Sequence, residues 1–373
     1  MVATFKPRDE ADVADIVTRC SSRLELLGGG SKRAIGRRIE ADVLDLSGLS
    51  GIIDYEPEEL VLTAHTATPL DEVQRTLAAA GQRLAFDPPD LAQLLGAQSK
   101  PTIGGVLATN LSGSRRVTAG AARDHFLGCR AVTGRGERFK GGGRVVKNVT
   151  GYDMPKLLAG SWGTLAVLTE ITIRVHPAPE HERTLVIPAA GAAAAVDLMG
   201  TALSSACDVS AAAFAPGRGV ALRLEGFVPS VDARSSALLE LLGGPDHLCL
   251  EAEVSRRYWE DSGAVVPLAH RSIVWRLCVP PRDAVRIIDA LAPPCYLLDW
   301  GGGLIWIGAD EVDAERIRGA LHGGHATLIK APESVRAAVP VFQPLPAPLA
   351  AISARLKAAL DPHGKLNPGR LDA

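Results

Sequence analysis

The chain has 373 residues, 47% hydrophobic and 22% charged, with 40 Lys and Arg against 42 Asp and Glu for a formal net charge of -2. That composition excludes a disordered chain, and the near-balance of charge leaves no electrostatic footprint for nucleic acid or an anionic membrane surface. No apolar run reaches membrane-spanning length and the first residues, MVATFKPRDEADV, hold no signal core, so the expectation is a two-domain protein of the cytoplasm.

Asp9, two residues after Pro7, is placed to cap a helix running to Arg23, in which Val13, Ile16, Val17 and Cys20 share one face. A short strand, Leu24–Leu27, runs straight into Gly28, Gly29, Gly30, Ser31, Lys32 and Arg33. Strands are expected at Val43–Leu46, Ile52–Tyr55 and Leu60–Ala64, and Thr68 should cap a helix that opens on Pro69 and stops at Gly81. A second glycine loop, Pro101–Gly113, carries Thr102, Gly104, Gly105, Thr109, Asn110 and Ser112. Phe126–Thr133 and Glu137–Lys140 form a hairpin about Gly134-Arg135-Gly136. The third glycine-punctuated stretch is Val145–Val175, with Gly151, Gly160 and Gly163 ahead of a strand in which Leu165, Val167, Ile171, Ile173 and Val175 set a period of two.

After His176-Pro177-Ala178-Pro179 the pattern changes, which places a domain boundary there. Helices at Ala192–Ser204, Val231–Leu242, Arg282–Ala292 and Val312–Leu321 alternate with strands at Val220–Leu224, Ile273–Val279, Tyr296–Asp299 and Leu304–Ile307. One antiparallel sheet with helices on one face, a ferredoxin-like arrangement, fits that order. Pro340–Pro348 is a proline-rich connector and Leu349–Leu360 a last helix. No sequence repeat is seen. The six cysteines (20, 129, 207, 249, 278 and 295) show no C-x-x-C spacing and read as single core cysteines.

Three glycines followed by Ser31, Lys32 and Arg33 offer unhindered backbone N–H groups and two cations, which is what a pyrophosphate needs. Neither G-x-G-x-x-G nor a G-K-[ST] loop is present, and one such loop is equally compatible with a tight turn. Gly104 and Gly105 would let backbone approach a ring system, or simply open a capped helix; Arg115, Arg116 and Arg123 would neutralise an anion, or pair at the surface. Three such loops in series suit an extended cofactor lying across a domain.

At this point the residues resemble a known family. GGGS, then PTIGGVLATN, ARDHFLGCRAVTGRGE, VVKNVTGYD and LAGSWGTLAVLTEITIRVHP, in that order, look like the PCMH-type FAD-binding domain of the vanillyl-alcohol-oxidase family. The resemblance implies an α+β protein. A PCMH-type domain of two α/β subdomains would span residues 1–179, a ferredoxin-like cap 180–339, and a helix and tail returning to the flavin domain 340–373. It also implies a cofactor site at Gly28, Gly29, Gly30, Ser31 and Lys32; at Pro101, Thr102, Gly104, Gly105, Thr109, Asn110 and Arg123; at Gly160, Gly163, Leu165 and Val167; and at Asn367. Trp162 and Ala166 stand where the family usually has Glu and Gly, and Ser31-Lys32 where covalent-flavin members carry histidine, so noncovalent FAD is implied.

GSRRVTAGAARD, WRL, LDWGGGLIW, GGHAT and LDPHGKLNPGR extend the likeness to the FAD-binding subunits of bacterial glycolate oxidases, over nearly the whole chain. Expected partners are then a larger catalytic flavoprotein and an iron–sulfur subunit, with association at the inner face of the membrane only through them. The H-P-x-x-x-x-N-x-H run of metal-bearing relatives is not found. His322, His325, Arg223 and Arg276 remain as candidates for chemistry on a 2-hydroxy acid, with His325 and Arg276 foremost; an Arg276–Asp299 pair within the sheet is the plainer expectation for Arg276. Self-sufficient 2-hydroxy-acid dehydrogenase and flavin-free scaffold are the two competing expectations.

Overall fold

The computed structural model describes residues 2–144 and 151–371. The expected third stretch is therefore seen from Gly151 onward, and its first six residues, with most of the VVKNVTGYD motif, lie outside the described residues.

Asp9 caps the first helix as expected, its carboxylate accepting from Asp12 N at 2.8 Å. The helix covers Glu10–Arg19 and ends short of Arg23, because Cys20 is extended and its N–H closes on Ile16 O. β2 (Leu24–Leu27) forms the edge of a small parallel sheet in the order β1 (Thr4–Phe5), β3 (Asp42–Asp45), β2. Beside it stands a five-stranded antiparallel sheet in the order β4 (Ile52–Glu56), β5 (Val61–His65), β9 (Ala166–Arg174), β7 (Phe126–Thr133), β8 (Arg138–Gly142). β9 is central and largely buried on both faces, so Ala166, Val167, Leu168, Ile171 and Ile173 are apolar on either side of it and Thr169 and Thr172 are buried with them. Val167 packs into the core with Val13, Val17, Leu24 and Leu44, whereas Ile171 and Ile173 join Leu70, Val73, Ile103 and Leu107.

One local expectation fails, and of the two readings at Gly104-Gly105 the capped helix is the one found. Thr68 does not cap the helix Leu70–Ala79; its hydroxyl turns to the carbonyls of Gly51 and His65, and Pro69 alone precedes the first turn. The presumed loop Pro101–Gly113 contains a helix, Ile103–Thr109, with Thr102 Oγ1 accepting from Gly105 N at 3.3 Å and Asn110 closing it in the left-handed region. The low helix propensity of its two glycines is overridden here by tertiary packing.

β6 (Gln82–Arg83) pairs with β10 (His176–Pro177), and the chain then enters an eight-stranded antiparallel sheet. β11 (His181–Ile187), β12 (Ala211–Ala215), β13 (Gly219–Gly226) and β14 (Leu248–Glu251), with helices Ala192–Ser204 and Val228–Leu241, make one βαββαβ unit in the order β14-β11-β13-β12. β15 (Ile273–Cys278), β16 (Cys295–Asp299), β17 (Leu304–Ala309) and β18 (His325–Lys330), with helices Ala284–Leu291 and Ala314–Gly319, make a second unit in the order β16-β17-β15-β18. The two meet where β12 pairs with β16 at Phe214 and Leu298. The ferredoxin-like expectation is thus met twice over, by a structural duplication that the sequence does not display. The four helices bury Ala195, Met199, Val231, Leu238, Ile287 and Ile317 on one face of the sheet. Helix Ala252–Gly263 lies on the other, where Trp259 covers Ala211, Ala213 and Ala221.

That second face meets the first half of the chain through Ile35, Leu91, Leu111, Trp300, Leu304 and Trp306. Beside this apolar seam lies a balanced set of ions. Arg115 reaches Asp87 at 2.5 Å and Glu225 at 2.9 Å, Arg223 reaches Glu182 at 2.6 Å and Asp87 at 3.0 Å, and Arg83 reaches Glu225 at 2.5 Å. Burial would raise the Glu225 carboxyl, but Arg115, Arg223 and Arg83 hold it well below the usual range. Ser255 Oγ donates to the remaining Glu182 oxygen at 2.7 Å. Removing one member of such a set leaves the others buried and unmatched. Arg223→Ala is expected to lower the unfolding free energy by about 3–5 kcal/mol in a urea titration. The double variant R223M/E182Q should recover part of that loss; if it does not, lost volume rather than lost charge pairing is responsible.

Candidate functional site

Where β2 ends, Gly28–Arg33 curls over the start of the Ile103–Thr109 helix. The cleft so formed occupies about 880 Å³, open space at its mouth included. Four segments line it: Glu25–Arg33, Thr102–Thr109, Ser161–Leu168, and Asn367 with Arg370. Close approach explains the glycines. A Cβ on Gly29 would run into Lys100 O, and one on Gly104 into Thr66 Oγ1 and its carbonyl. Gly163 lies at φ +69, and a side chain there would collide with Asn367 Nδ2.

Asn367 joins three of these segments. Its Oδ1 accepts from Leu26 N at 2.8 Å and its Nδ2 donates to Trp162 O at 2.7 Å. Glu25, buried at the floor, accepts from Arg33 Nε at 2.9 Å and from Arg370 Nη2 at 3.2 Å. Arg370 also donates to Ile35 O at 2.6 Å, which fixes the far end of the glycine loop.

Among the described residues no acceptor is found for the backbone N–H groups of Gly29, Gly30, Ser31 and Lys32. Lys32 lines the same cleft with no carboxylate in salt-bridge reach; burial drives its ammonium down to about 8, opposed only by Asp90. Several free amides and one desolvated cation form a donor set for a phosphate or pyrophosphate group.

Of the residues expected at a cofactor, Gly28, Gly29, Gly30, Ser31, Lys32, Thr102, Gly104, Gly105, Thr109, Gly163 and Asn367 line this cleft. Six do not. Val167 points into the core beneath the first helix, and its neighbours Ala166 and Leu168 face the cleft instead, a one-residue error that inverts the side of a strand. Leu165 packs beside the core of the five-stranded sheet. Pro101 gives its carbonyl to Leu70 N, Gly160 N–H bonds Leu107 O, and Asn110 Oδ1 accepts from Arg123 N at 2.9 Å, so these four serve the scaffold behind the helix. Missed were Glu25, Thr66, Ala108, Ser161 and Arg370; Ala108, Ser161 and Arg370 lie within the PTIGGVLATN, LAGSWGT and NPGR motifs, whereas Glu25 and Thr66 carry no local signal. Trp162, at φ +54, lines the cleft and stacks edge-on against Phe342 at 5.2 Å.

The residues expected to do chemistry lie elsewhere. Arg223 belongs to the ion set, and His322 is exposed. Arg276 and His325 sit on the paired strands β15 and β18, outside the cleft lining. The expected Arg276–Asp299 pair does not form: Asp299 is taken by Ser114 Oγ and Trp300 N, each at 2.7 Å, and burial lifts its carboxyl to about 6.

Residues 2–142 match the family described as "FAD binding domain". The chain is 36% identical over 358 residues to "Glycolate oxidase subunit GlcE" of Escherichia coli K12, covering 94% of this chain and 93% of that one. It is 30% identical over 189 residues to "Glycolate oxidase subunit GlcD" of Bacillus subtilis, and 33% identical over 172 residues to a D-lactate dehydrogenase of Anaerostipes hadrus. Those two matches cover 49% and 46% of this chain and 39% and 34% of the relatives. Among solved structures, alkyldihydroxyacetonephosphate synthase superposes on 98% of this chain and 76% of its own at a TM-score of 0.68 and 15% identity, which establishes the shared fold. FAD is the cofactor of this family, and the free amides and Lys32 of the cleft fit a pyrophosphate such as it carries.

Two outcomes follow for binding. A pyrophosphate beside Lys32 would raise its pKa, so binding takes up a proton once the free protein is above pH 8. FAD affinity, titrated into flavin-free protein, should be flat below about pH 8 and fall up to about tenfold per unit above it; Lys32→Met should weaken binding at pH 7 and flatten the profile. Gly105 has more room than Gly104, its nearest obstacle being Thr102 Oγ1 at 3.2 Å from an added Cβ. Gly105→Leu should therefore keep the native circular dichroism yet lose the flavin absorbance, whereas a bulky residue at Gly104 should disturb the helix as well.

Proposed function

The chain belongs to the family of the glycolate oxidase subunit GlcE, and from that membership we propose that it is the FAD-binding subunit of a multi-subunit enzyme oxidising glycolate to glyoxylate. The observation that carries the reading is the convergence of four separate segments on one FAD-fitting cleft, within a chain colinear with GlcE over nearly its whole length. When bound, FAD supplies a two-electron acceptor. This chain's own residues bind and orient it: the amides of the glycine loop and Lys32 at the pyrophosphate, Gly104 and Gly105 as close backbone support, and Asn367 holding the walls together. With Ser31-Lys32 in the first loop, the attachment is noncovalent.

The partners in this reading are a larger catalytic flavoprotein subunit and an iron–sulfur subunit. The helix Ala347–Leu360 supports a docking role. None of its residues is buried; Leu349 and Ile352, three apart on it, are 53% and 45% exposed, and Leu345 just ahead of it is 52% exposed. From Pro340 to Leu360 there is no acidic residue, so an apolar partner surface with an acidic rim would complement it. Among the described residues no helix is long and apolar enough to cross a membrane, and any association with one would run through the partners.

Co-purification of the tagged chain from its native source tests this. The expected result is both partner subunits, FAD released on denaturation, and glycolate-dependent dye reduction by the assembly only. The variant L349E/I352E should keep FAD and lose the partners. Turnover of glycolate or D-lactate by the isolated chain would establish a self-sufficient dehydrogenase instead, and a chain without FAD would be a scaffold.

A further inference from the structure

β15 turns Val274, Arg276 and Cys278 towards the first half of the chain, and β18 sets His325 directly opposite Cys278. Arg276, 7% exposed, brings Nη1 to 3.0 Å from Cys278 Sγ. It has no carboxylate in salt-bridge reach among the described residues; Asp299, the acid that acts on it, is already bonded to Ser114 and Trp300. Its guanidinium lies 5.1 Å from the ring centroid of Trp300, and Arg116, which likewise has no carboxylate in reach, lies 4.5 Å from the same ring. Arg276 thus contacts the sulfur, His325 stands opposite it in the strand pair, and Arg116 shares the tryptophan over which Arg276 lies. A cation buried against a thiol and lacking an acid is completed by the thiolate.

We propose that Cys278 is a modification site, a thiolate held by Arg276, His325 and Arg116 that reacts with hydroperoxides. In that step the sulfur forms a bond to one peroxide oxygen while the O–O bond breaks. The other oxygen leaves as hydroxide, or as alkoxide from an alkyl hydroperoxide, and takes a proton from solvent, so sulfur is oxidised by two electrons and the peroxide reduced to water or an alcohol, with water supplying the proton. The resulting sulfenate keeps Arg276 as its hydrogen-bond donor. The other cysteines offer the contrast. Cys129 is buried and pushed up to about 12, and Cys249, exposed beside Glu251, is raised to about 11. At Cys278 burial acts upwards too, but Arg276, then His325 and Arg116, outweigh it and bring the thiol to about 7. Cys278 is only half-buried and His325 is exposed, so reagents have access. The proposal does not depend on the glycolate reading.

The test uses the full-length protein, iodoacetamide and hydrogen peroxide, with peptide mass spectrometry to separate the six cysteines. Cys278 should alkylate at pH 7 at roughly ten times the rate of Cys249 or more, because its thiolate fraction is far larger although its intrinsic nucleophilicity is lower. Its rate should rise with a midpoint near pH 7, and peroxide followed by dimedone should label it first. His325→Gln, at an exposed position that does not threaten folding, should move the midpoint upward, and Arg276→Met should move it further. Alkylation no faster than at Cys249, a midpoint near 9 or above in the parent protein, or a midpoint unmoved by His325→Gln would overturn the assignment.

Discussion

The cleft depends on one side chain more than any other. Asn367 satisfies the Leu26 amide on one side and the Trp162 carbonyl on the other, so the last turn of the chain sets how far β2 stands from the loop before β9. Its own position is secured by Asp361, whose buried carboxylate accepts from Lys365 N at 3.0 Å and Leu366 N at 2.8 Å and from Lys357 Nζ at 2.6 Å. Lys357 lies on the otherwise uncovered helix Ala347–Leu360 and also donates to Thr164 O at 2.6 Å. This uncovered helix is thereby tied, through Asp361 and Asn367, to the wall of the cleft. In the proposed assembly, the docking surface and the cofactor cleft are therefore joined by direct hydrogen bonds, without any need for a moving part.

Charge is matched where the protein is structural and unmatched where it is chemical. Between the two halves three guanidiniums (Arg83, Arg115 and Arg223) meet three carboxylates (Asp87, Glu182 and Glu225). Such a set adds little net stability over an apolar seam, but it admits one register between the halves, since any shift would bury unpaired ions. Lys32 lies in a cleft with free amides around it, and Arg276 and Arg116 meet a thiol and the rings of Trp300 and Trp306, with no carboxylate in salt-bridge reach among the described residues. These are the places where an anion, supplied or made, lowers the energy.

Sequence pattern reached some of this and missed the rest for physical reasons. The strand Leu24–Leu27 with its glycine loop, the hairpin at Phe126, and the tail residue Asn367 were all legible, because each has a local signature in turn chemistry or motif order. Pro101–Gly113 looked like a loop since glycine disfavours helix, yet Gly104 is there to admit Thr66 and not to loosen the backbone. Val167 and its neighbours differed by one residue of parity, which no period-of-two pattern resolves in a strand buried on both faces. β12, AAAFA, has little β propensity and is a strand because Trp259 and the helices cover its two faces. The duplicated βαββαβ unit repeats topology without repeating residues, and Cys278 acquires its neighbours only when β15 and β18 pair.

The division of labour proposed for the assembly has a physical root in Glu25. Clamping a 2-hydroxy acid takes an arginine free to bind a carboxylate, close to a base within hydrogen-bond reach of the hydroxyl. Two arginines do line this cleft, Arg33 and Arg370, but both donate to Glu25, and Arg370 spends its other nitrogen on the carbonyls of Arg33 and Ile35. Releasing either for a substrate would leave a buried carboxylate short of a partner, a cost of the same order as the binding gained. Arg276, the other arginine suited to the task, contacts Cys278 and, with His325 opposite on the paired strand, lies outside the cleft. The arginines of the cleft are therefore holding the glycine loop in shape, which favours the cofactor over the acid, and a clamp for the acid is best sought on another subunit.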